Sequence, residues 1–255
     1  LKSLYFGQTI ASGDYNGDGF CDLSVGIRSY AYGGKGNAGA ILLYRGGSDG
    51  LSELPVRAWA GTEEGDKESL FAYCLKMADV DQDGLSDIVA CQRDHLSEKG
   101  NNVGAVRIFR GDSELGEETA DGLLSVEVAD WTVSADQGSD RLGYWVDIAD
   151  MTGDGIVDII AGAGADEAVA YPGNTGTIHL YKGQEGGLPA LEPYQRIPGE
   201  SSGDTFGATM GAIGDLNGDG LSELVGLALY PDYEGTNVPR VYMSWGRGEA
   251  AIPWG

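Results

Sequence analysis

The sequence predicts an all-β fold made of four repeated four-stranded sheets, and three observations carry that prediction. A nine-residue acidic pattern occurs four times, as "DYNGDGFCD" from Asp14, "DVDQDGLSD" from Asp79, "DMTGDGIVD" from Asp150 and "DLNGDGLSE" from Asp215. Successive starts lie 65, 71 and 65 residues apart, a period that marks a repeat architecture with one small supersecondary unit per repeat. Short apolar runs rich in β-branched residues recur in phase with the loops, and 43 glycines supply turns between them.

Each unit reads as four elements in order. The first strand opens on an aromatic or leucine followed by a small residue: Phe6-Gly7, Phe71-Ala72, Leu142-Gly143 and Phe206-Gly207. The acidic loop follows and leads into the second strand, "DLSVGI", "DIVACQ", "DIIAGA" and "ELVGLA". After a longer polar connection comes the third, in "GAILLYRGG", "GAVRIFRGD", "GTIHLYKGQ" and "VPRVYMSWGRG". A weaker fourth carries "VRAWAG", "VADWTV", "YQRIPG" and "AAIPWG". The units fall near 1–66, 67–137, 138–202 and 203–255, and 1–255 reads as a single domain long enough to bury a sizeable core.

The loops call for a cation. Asp79, Asp81, Asp83 and Asp87 crowd four carboxylates into nine residues, and like charges this close repel unless something positive sits among them. The spacing matches the start of the calcium loop of a helix–loop–helix hand, where positions 1, 3 and 5 present side-chain oxygens, position 6 is glycine and position 7 gives a backbone carbonyl. Here the last carboxylate comes three residues after the glycine, and a strand follows. Predicted ligands are Asp14, Asn16, Asp18, Phe20 and Asp22 in loop one, and Asp79, Asp81, Asp83, Leu85 and Asp87 in loop two. Loop three supplies Asp150, Thr152, Asp154, Ile156 and Asp158, and loop four Asp215, Asn217, Asp219, Leu221 and Glu223. Up to four calcium ions are expected, held most tightly in loop two and least in loop three, where Thr152 brings a hydroxyl.

The Phe-Gly start, the "DxNxDGxxD" loop and the Gly-Ala-type ending resemble the FG-GAP repeats of integrin α-subunit β-propellers and their bacterial relatives, over nearly the whole chain. The resemblance implies one propeller blade per repeat, calcium between strands one and two, and ligand contacts on the opposite face. The pattern departs at Ala72, at Cys91 where repeats one and three have Gly26 and Gly162, and in lacking a proline after the Gly-Ala-like pairs. Propellers of that family usually have seven blades. Four blades imply a compact ring, a piece of a larger propeller, or completion by another chain. The chain begins almost at a first strand and ends at a fourth, with no strand exchange to latch a ring shut, which favours a piece; that "LKSLYFGQ" has no signal peptide says little, since the start looks trimmed.

Composition excludes several functions. A net charge of −24 argues against nucleic acid or an anionic membrane surface as partner, because both need a positive face. No apolar run approaches the roughly 18 residues of a membrane span. The two histidines, His95 and His179, sit in no triad or zinc spacing, and carboxylates that ligate calcium are poor proton shuttles, so no enzymatic activity is expected. Residues 110–113 read "RGDS", but the same place in other repeats reads "RGGS", "KGQE" and "GRGE", so turn chemistry accounts for it.

The connections between second and third strands hold Tyr30, Tyr32, Tyr171, Tyr230 and Tyr233, candidates for a face that binds a protein or glycan. Cys74 and Cys91 lie nearly level across a hairpin, where they either bridge or stay buried thiols; the corresponding pairs are Thr9 with Gly26, Trp145 with Gly162 and Met210 with Leu227. A disulfide, like calcium loops, suits an oxidising extracellular setting. The expected function is a calcium-stabilised extracellular recognition or adhesion module. Alternatives are a calcium-dependent lectin and the non-catalytic domain of a larger secreted enzyme.

Overall fold

The computed structural model describes residues 5–31, 38–61, 70–96, 102–115, 123–125, 128–135, 140–164, 175–200, 203–228, 232–233, 236–237 and 240–244. In the first blade β1 (Phe6–Gly13), β2 (Asp22–Ile27), β3 (Ala40–Tyr44) and β4 (Arg57–Ala60) pair antiparallel in chain order. The second joins β5 (Phe71–Ala78), β6 (Asp87–Gln92) and β7 (Ala105–Phe109); β8 (Leu123–Ser125) intervenes in the chain before β9 (Trp131–Ser134) completes that sheet. The third consists of β10 (Leu142–Ala149), β11 (Asp158–Ala163), β12 (Thr177–Tyr181) and β13 (Gln195–Pro198). In the fourth, β14 (Met210–Ala212) pairs with β15 (Leu224–Ala228); β16 (Asp232–Tyr233) and β17 (Thr236–Asn237) form a small hairpin before β18 (Arg240–Ser244) returns beside β15. No α-helix occurs among the described residues.

Blade one gains a strand that the sequence pattern does not show. β8 directly follows the acidic stretch "SELGEETADG" of repeat two and pairs parallel with β4, Ala58 opposite Leu123 and Ala60 opposite Ser125. It covers the outer edge of blade one, where β4 would otherwise leave backbone donors and acceptors unpaired. The fourth-blade segment "AAIPWG" lies outside the described residues.

Blades stack in chain order, β1 on β5, β5 and β6 on β10, and β10 on β14. Between the first two, Ile41, Leu43 and Trp59 meet Phe71, Leu75, Ile88 and Phe109. Val89, Val106 and Trp131 meet Leu142, Val146 and Tyr181 between the second and third, and Ile160, Ile178 and Leu180 meet Phe206 and Leu224 between the third and fourth. Trp131 also donates its indole N–H to the Pro189 carbonyl at 2.8 Å.

The Phe-Gly start explains how one blade clasps the next. Phe71, Leu142 and Phe206 are buried, and the residues on either side take left-handed backbone: φ is 49° and 61° at Leu70 and Ala72, 55° and 79° at Arg141 and Gly143, 48° and 85° at Thr205 and Gly207. Ala72 therefore keeps the conformation that glycine adopts elsewhere, at the steric cost a Cβ brings there. In the preceding blade Gly39, Gly104 and Gly176 lie so close that a Cβ would overlap the carbonyl oxygen of Phe71, Leu142 and Phe206 respectively. The glycine of the Gly-Ala pair is thus required by backbone contact between blades.

The hairpin registers place Thr9 opposite Gly26 and Trp145 opposite Gly162, as the spacing predicts. In blade four Met210 faces Gly226 rather than Leu227. A Cβ at 226 would run into the Phe206 ring, so only glycine fits where the register puts it.

Candidate metal loops and the opposite face

All four acidic loops share one backbone design. The first aspartate draws the turn around its carboxylate: Asp14 accepts from Gly17 N at 2.8 Å and Gly19 N at 2.9 Å, Asp79 from Asp83 N at 3.1 Å and Gly84 N at 3.0 Å. Asp150 and Asp215 hold Gly155 N and Gly220 N in the same way, at 2.8 and 2.9 Å. Position six is left-handed, with φ of 86°, 89°, 82° and 87° at Gly19, Gly84, Gly155 and Gly220. Position seven, Phe20, Leu85, Ile156 or Leu221, donates its N–H to the carboxylate at position five, Asp18, Asp83, Asp154 or Asp219, at 2.9 to 3.0 Å.

The ninth position has a second role. Asp22, Asp87 and Asp158 are fully buried; one oxygen accepts from position two of the loop, Tyr15, Val80 or Met151, each at 2.9 Å. The other accepts from the glycine just past the third strand, Gly46, Gly111 and Gly183, at 2.8, 2.8 and 2.9 Å. Burial pushes the carboxyl pKa of Asp87 and Asp158 up to about 6, against the pull of those N–H groups, and raises Asp22 as well.

Two loops gather their carboxylates. Oxygens of Asp79, Asp81 and Asp87 lie within 4.8 Å of one another, and so do those of Asp215, Asp219 and Glu223. Oxygens around one calcium at 2.3–2.6 Å stand at most about 5 Å apart, so both sets fit such an ion. Asp81 Oδ2 is buried and meets only the Arg110 guanidinium, and Thr152 Oγ1 in loop three is buried without a hydrogen-bond partner. Loops one and three, among the described residues, share the backbone wrap without bringing three carboxylates so close. Asn16 and Asn217 each turn Nδ2 to the position-five carboxylate, at 3.0 and 2.9 Å.

A basic residue follows the third strand in three blades and reaches that same carboxylate. Arg45 Nη2 lies 3.0 Å from Asp18, Arg110 Nη2 bonds Asp81 and lies 3.3 Å from Asp83, and Lys182 Nζ lies 3.5 Å from Asp154. The aligned segments "LLYRG", "RIFRG" and "HLYKG" show these cations, which turn chemistry alone leaves without a role. The "RGDS" turn is held from both ends, since Asp112 pairs with Arg57 at 2.6 Å. It lines a cavity of about 600 Å³ with Tyr15, Trp59 and Phe109.

On the opposite face Tyr30 is half-buried and packs with Ile27, Ala40 and Ala60. Tyr32, Tyr171 and Tyr230 lie outside the described residues, as does the side chain of Tyr233. Other aromatics and arginines stand there instead, from the starts of first strands and from residues just after second strands. Arg28 stacks on Tyr5 and Tyr73, and Arg93 on Tyr73 and Tyr144. Cys74 on β5 and Cys91 on β6 are joined as a disulfide with Cα atoms 5.1 Å apart, and Cys21 is free and exposed.

Residues 6–44 match the family model described as FG-GAP repeat. The chain is 27% identical over 238 residues to integrin alpha pat-2 of Caenorhabditis elegans, covering 86% of this chain and 17% of that protein. It is 29% identical over 161 residues to the phosphatidylinositol-glycan-specific phospholipase D of Bos taurus, covering 62% of this chain and 18% of that protein. The chain thus spans less than a fifth of either relative. Among solved structures, rhamnogalacturonan lyase YesW superposes with a TM-score of 0.51 at 16% identity, over 86% of this chain and 40% of that one, a likeness of fold.

Proposed function

From the premise that this chain is an FG-GAP-repeat, integrin-like domain with a β-propeller architecture, we propose that it is a calcium-stabilised extracellular recognition module that binds a protein partner on the face opposite the acidic loops. The observation that carries the calcium reading is the convergence of Asp79, Asp81 and Asp87, and of Asp215, Asp219 and Glu223, on loops whose backbone is already wound around the first aspartate. Calcium in these loops supplies positive charge and a cross-link between carboxylates. The chain's own residues do the rest: the first aspartate shapes the loop, the buried ninth residue ties it to the third strand, and the glycine at position six makes the turn. The two inner strands of each blade are thereby fixed at their loop ends, which supports the reading of their other ends as the base of a recognition surface.

No catalytic step belongs to this reading. His179 is buried in β12, its Nδ1 3.4 Å from the Tyr181 hydroxyl. A second reading, the non-catalytic domain of a larger secreted enzyme, is favoured by the length of the phospholipase relative, of which the chain covers 18%.

Calorimetry with and without chelator tests the proposal. A site at free calcium about 100 times Kd contributes about 2.7 kcal/mol. Two filled loops should therefore raise Tm by on the order of 10 °C. An identical melt in excess chelator would refute it.

A further inference from the structure

We infer that blade one carries a carboxylate-recognition site, built by Arg28 with Tyr5 and Tyr73, whose occupant is an aspartate or glutamate side chain of a protein partner. The inference rests on the recognition reading above and names the chemistry that the partner presents. Arg28 follows β2 and Tyr5 precedes β1, so both stand at the strand ends away from the acidic loop.

The repeat itself shows what this arginine lacks. Arg28 and Arg93 hold equivalent places, each directly after the second strand of its blade. Each lies against two tyrosine rings: Arg28 Cζ is 4.7 Å from the Tyr5 centroid and 5.8 Å from that of Tyr73, and Arg93 Cζ is 4.9 Å from Tyr73 and 5.1 Å from Tyr144. Stacking on ring faces orients a guanidinium without using its N–H donors. In blade two those donors are used, since Nε and Nη2 of Arg93 reach Asp94 Oδ2 at 3.2 and 2.9 Å. In blade one the next residue is Ser29, and the buried Arg28 Nε finds no hydrogen-bond acceptor.

A buried donor without an acceptor is costly, and a charged one more so. The chain has 40 acidic residues and a net charge of −24, yet no carboxylate of the described residues pairs with this guanidinium. Tyr5, the ring that lies closest over Arg28, is 48% exposed. Blade two fills the equivalent place with a short protein side chain, Asp94, which is why the occupant is assigned as a protein carboxylate.

The test follows the Arg28 Nε–Hε resonance of the calcium-loaded chain by NMR, assigned by its loss in Arg28→Gln. The peptide Gly-Asp-Gly should shift it saturably and Gly-Asn-Gly should not. Ser29→Asp, which copies the blade-two pair and gives the buried donor an acceptor, should shift the resonance in the free protein, abolish the response and raise the melt. A silent resonance at millimolar peptide, an equal response to the asparagine peptide, or full binding by Ser29→Asp would overturn the site. A response to digalacturonate alone would overturn the protein-side-chain assignment. Chelator melts of the same samples separate the two readings: calcium-dependent stability with a silent Arg28 sinks this site alone.

Discussion

Phe6 and Phe71 occupy the same place in successive repeats, yet Phe6 is 62% exposed and Phe71 0%. Their backbones agree, with left-handed residues on either side, φ of 50° and 72° at Tyr5 and Gly7 against 49° and 61° at Leu70 and Ala72. Local sequence therefore sets the shape of the clasp, whereas burial comes from the blade in front. For Phe71 that blade supplies Gly39, Ile41 and Trp59; for Phe6 no described residue plays their part.

The most severe challenge to that comparison is truncation of each ring. Phe71→Ala should cost about 3–5 kcal/mol. Phe6→Ala should stay within about 0.5 kcal/mol, as exposed positions do. Urea melts of the two variants settle it, and equal losses would mean that Phe6 is covered in solution.

Next in size is the staple that blade two has and blade one lacks. The bridge closes 17 residues, and removing a loop of that size should cost about 3 kcal/mol. Cys74→Ala with Cys91→Ala should show it in a denaturant melt. Thr9 and Gly26 hold the matching places in blade one, where Thr9 Oγ1 bonds the Ala72 carbonyl at 3.1 Å instead. A reducing agent that leaves the melt unchanged would dismiss the staple.

The third difference is in pH. Asp87 has its folded pKa raised to about 6 by burial, above the unfolded value of about 3.9, so its contribution to stability is present below about pH 4 and lost as pH rises through 6. Asp158 acts the same way. Asp18, held low by the Phe20 N–H, works in the opposite sense and its contribution fades only as pH falls below about 4. In chelator, Tm should therefore fall between pH 4 and 6, and Asp87→Asn should flatten the fall. A Tm that climbs over this window would reverse the assignment.

The smallest effect concerns Ala72. Replacing it by glycine relieves about 1–2 kcal/mol of left-handed strain and adds about 0.5–1 kcal/mol of unfolded-state entropy. Ala72→Gly should gain between about 0 and 1.5 kcal/mol in a thermal melt, and a loss would show that the buried methyl matters more than the backbone.

The acidic loops and the inner strands were legible because their chemistry is local: carboxylates at fixed spacing, glycine at the turn, then a β-branched run. The pairing of Cys74 with Cys91 was legible as proximity, from their places either side of one loop. β8 was not, because "SELGEETADG" and the residues after it read as an acidic loop and the partner strand, β4, belongs to another repeat. Nor was the stack of Arg28, Tyr73, Arg93 and Tyr144, whose members are far apart in sequence and meet only because adjacent blades bring first and second strands together. The tyrosines of the long connections drew attention by composition, and Tyr30 turned inward onto Ile27.

The buried carboxylate at the end of each acidic loop bears on the order in which the chain folds. Asp22 takes one hydrogen bond from Tyr15, close by, and the other from Gly46, 24 residues along the chain. A nascent hairpin of β1 and β2 would close over a carboxylate still half unmet, a poor intermediate in apolar surroundings. Arrival of the third strand completes it, so the nucleus of a blade should be three strands and not two. Closing that 24-residue loop, rather than zipping the hairpin, should set the pace.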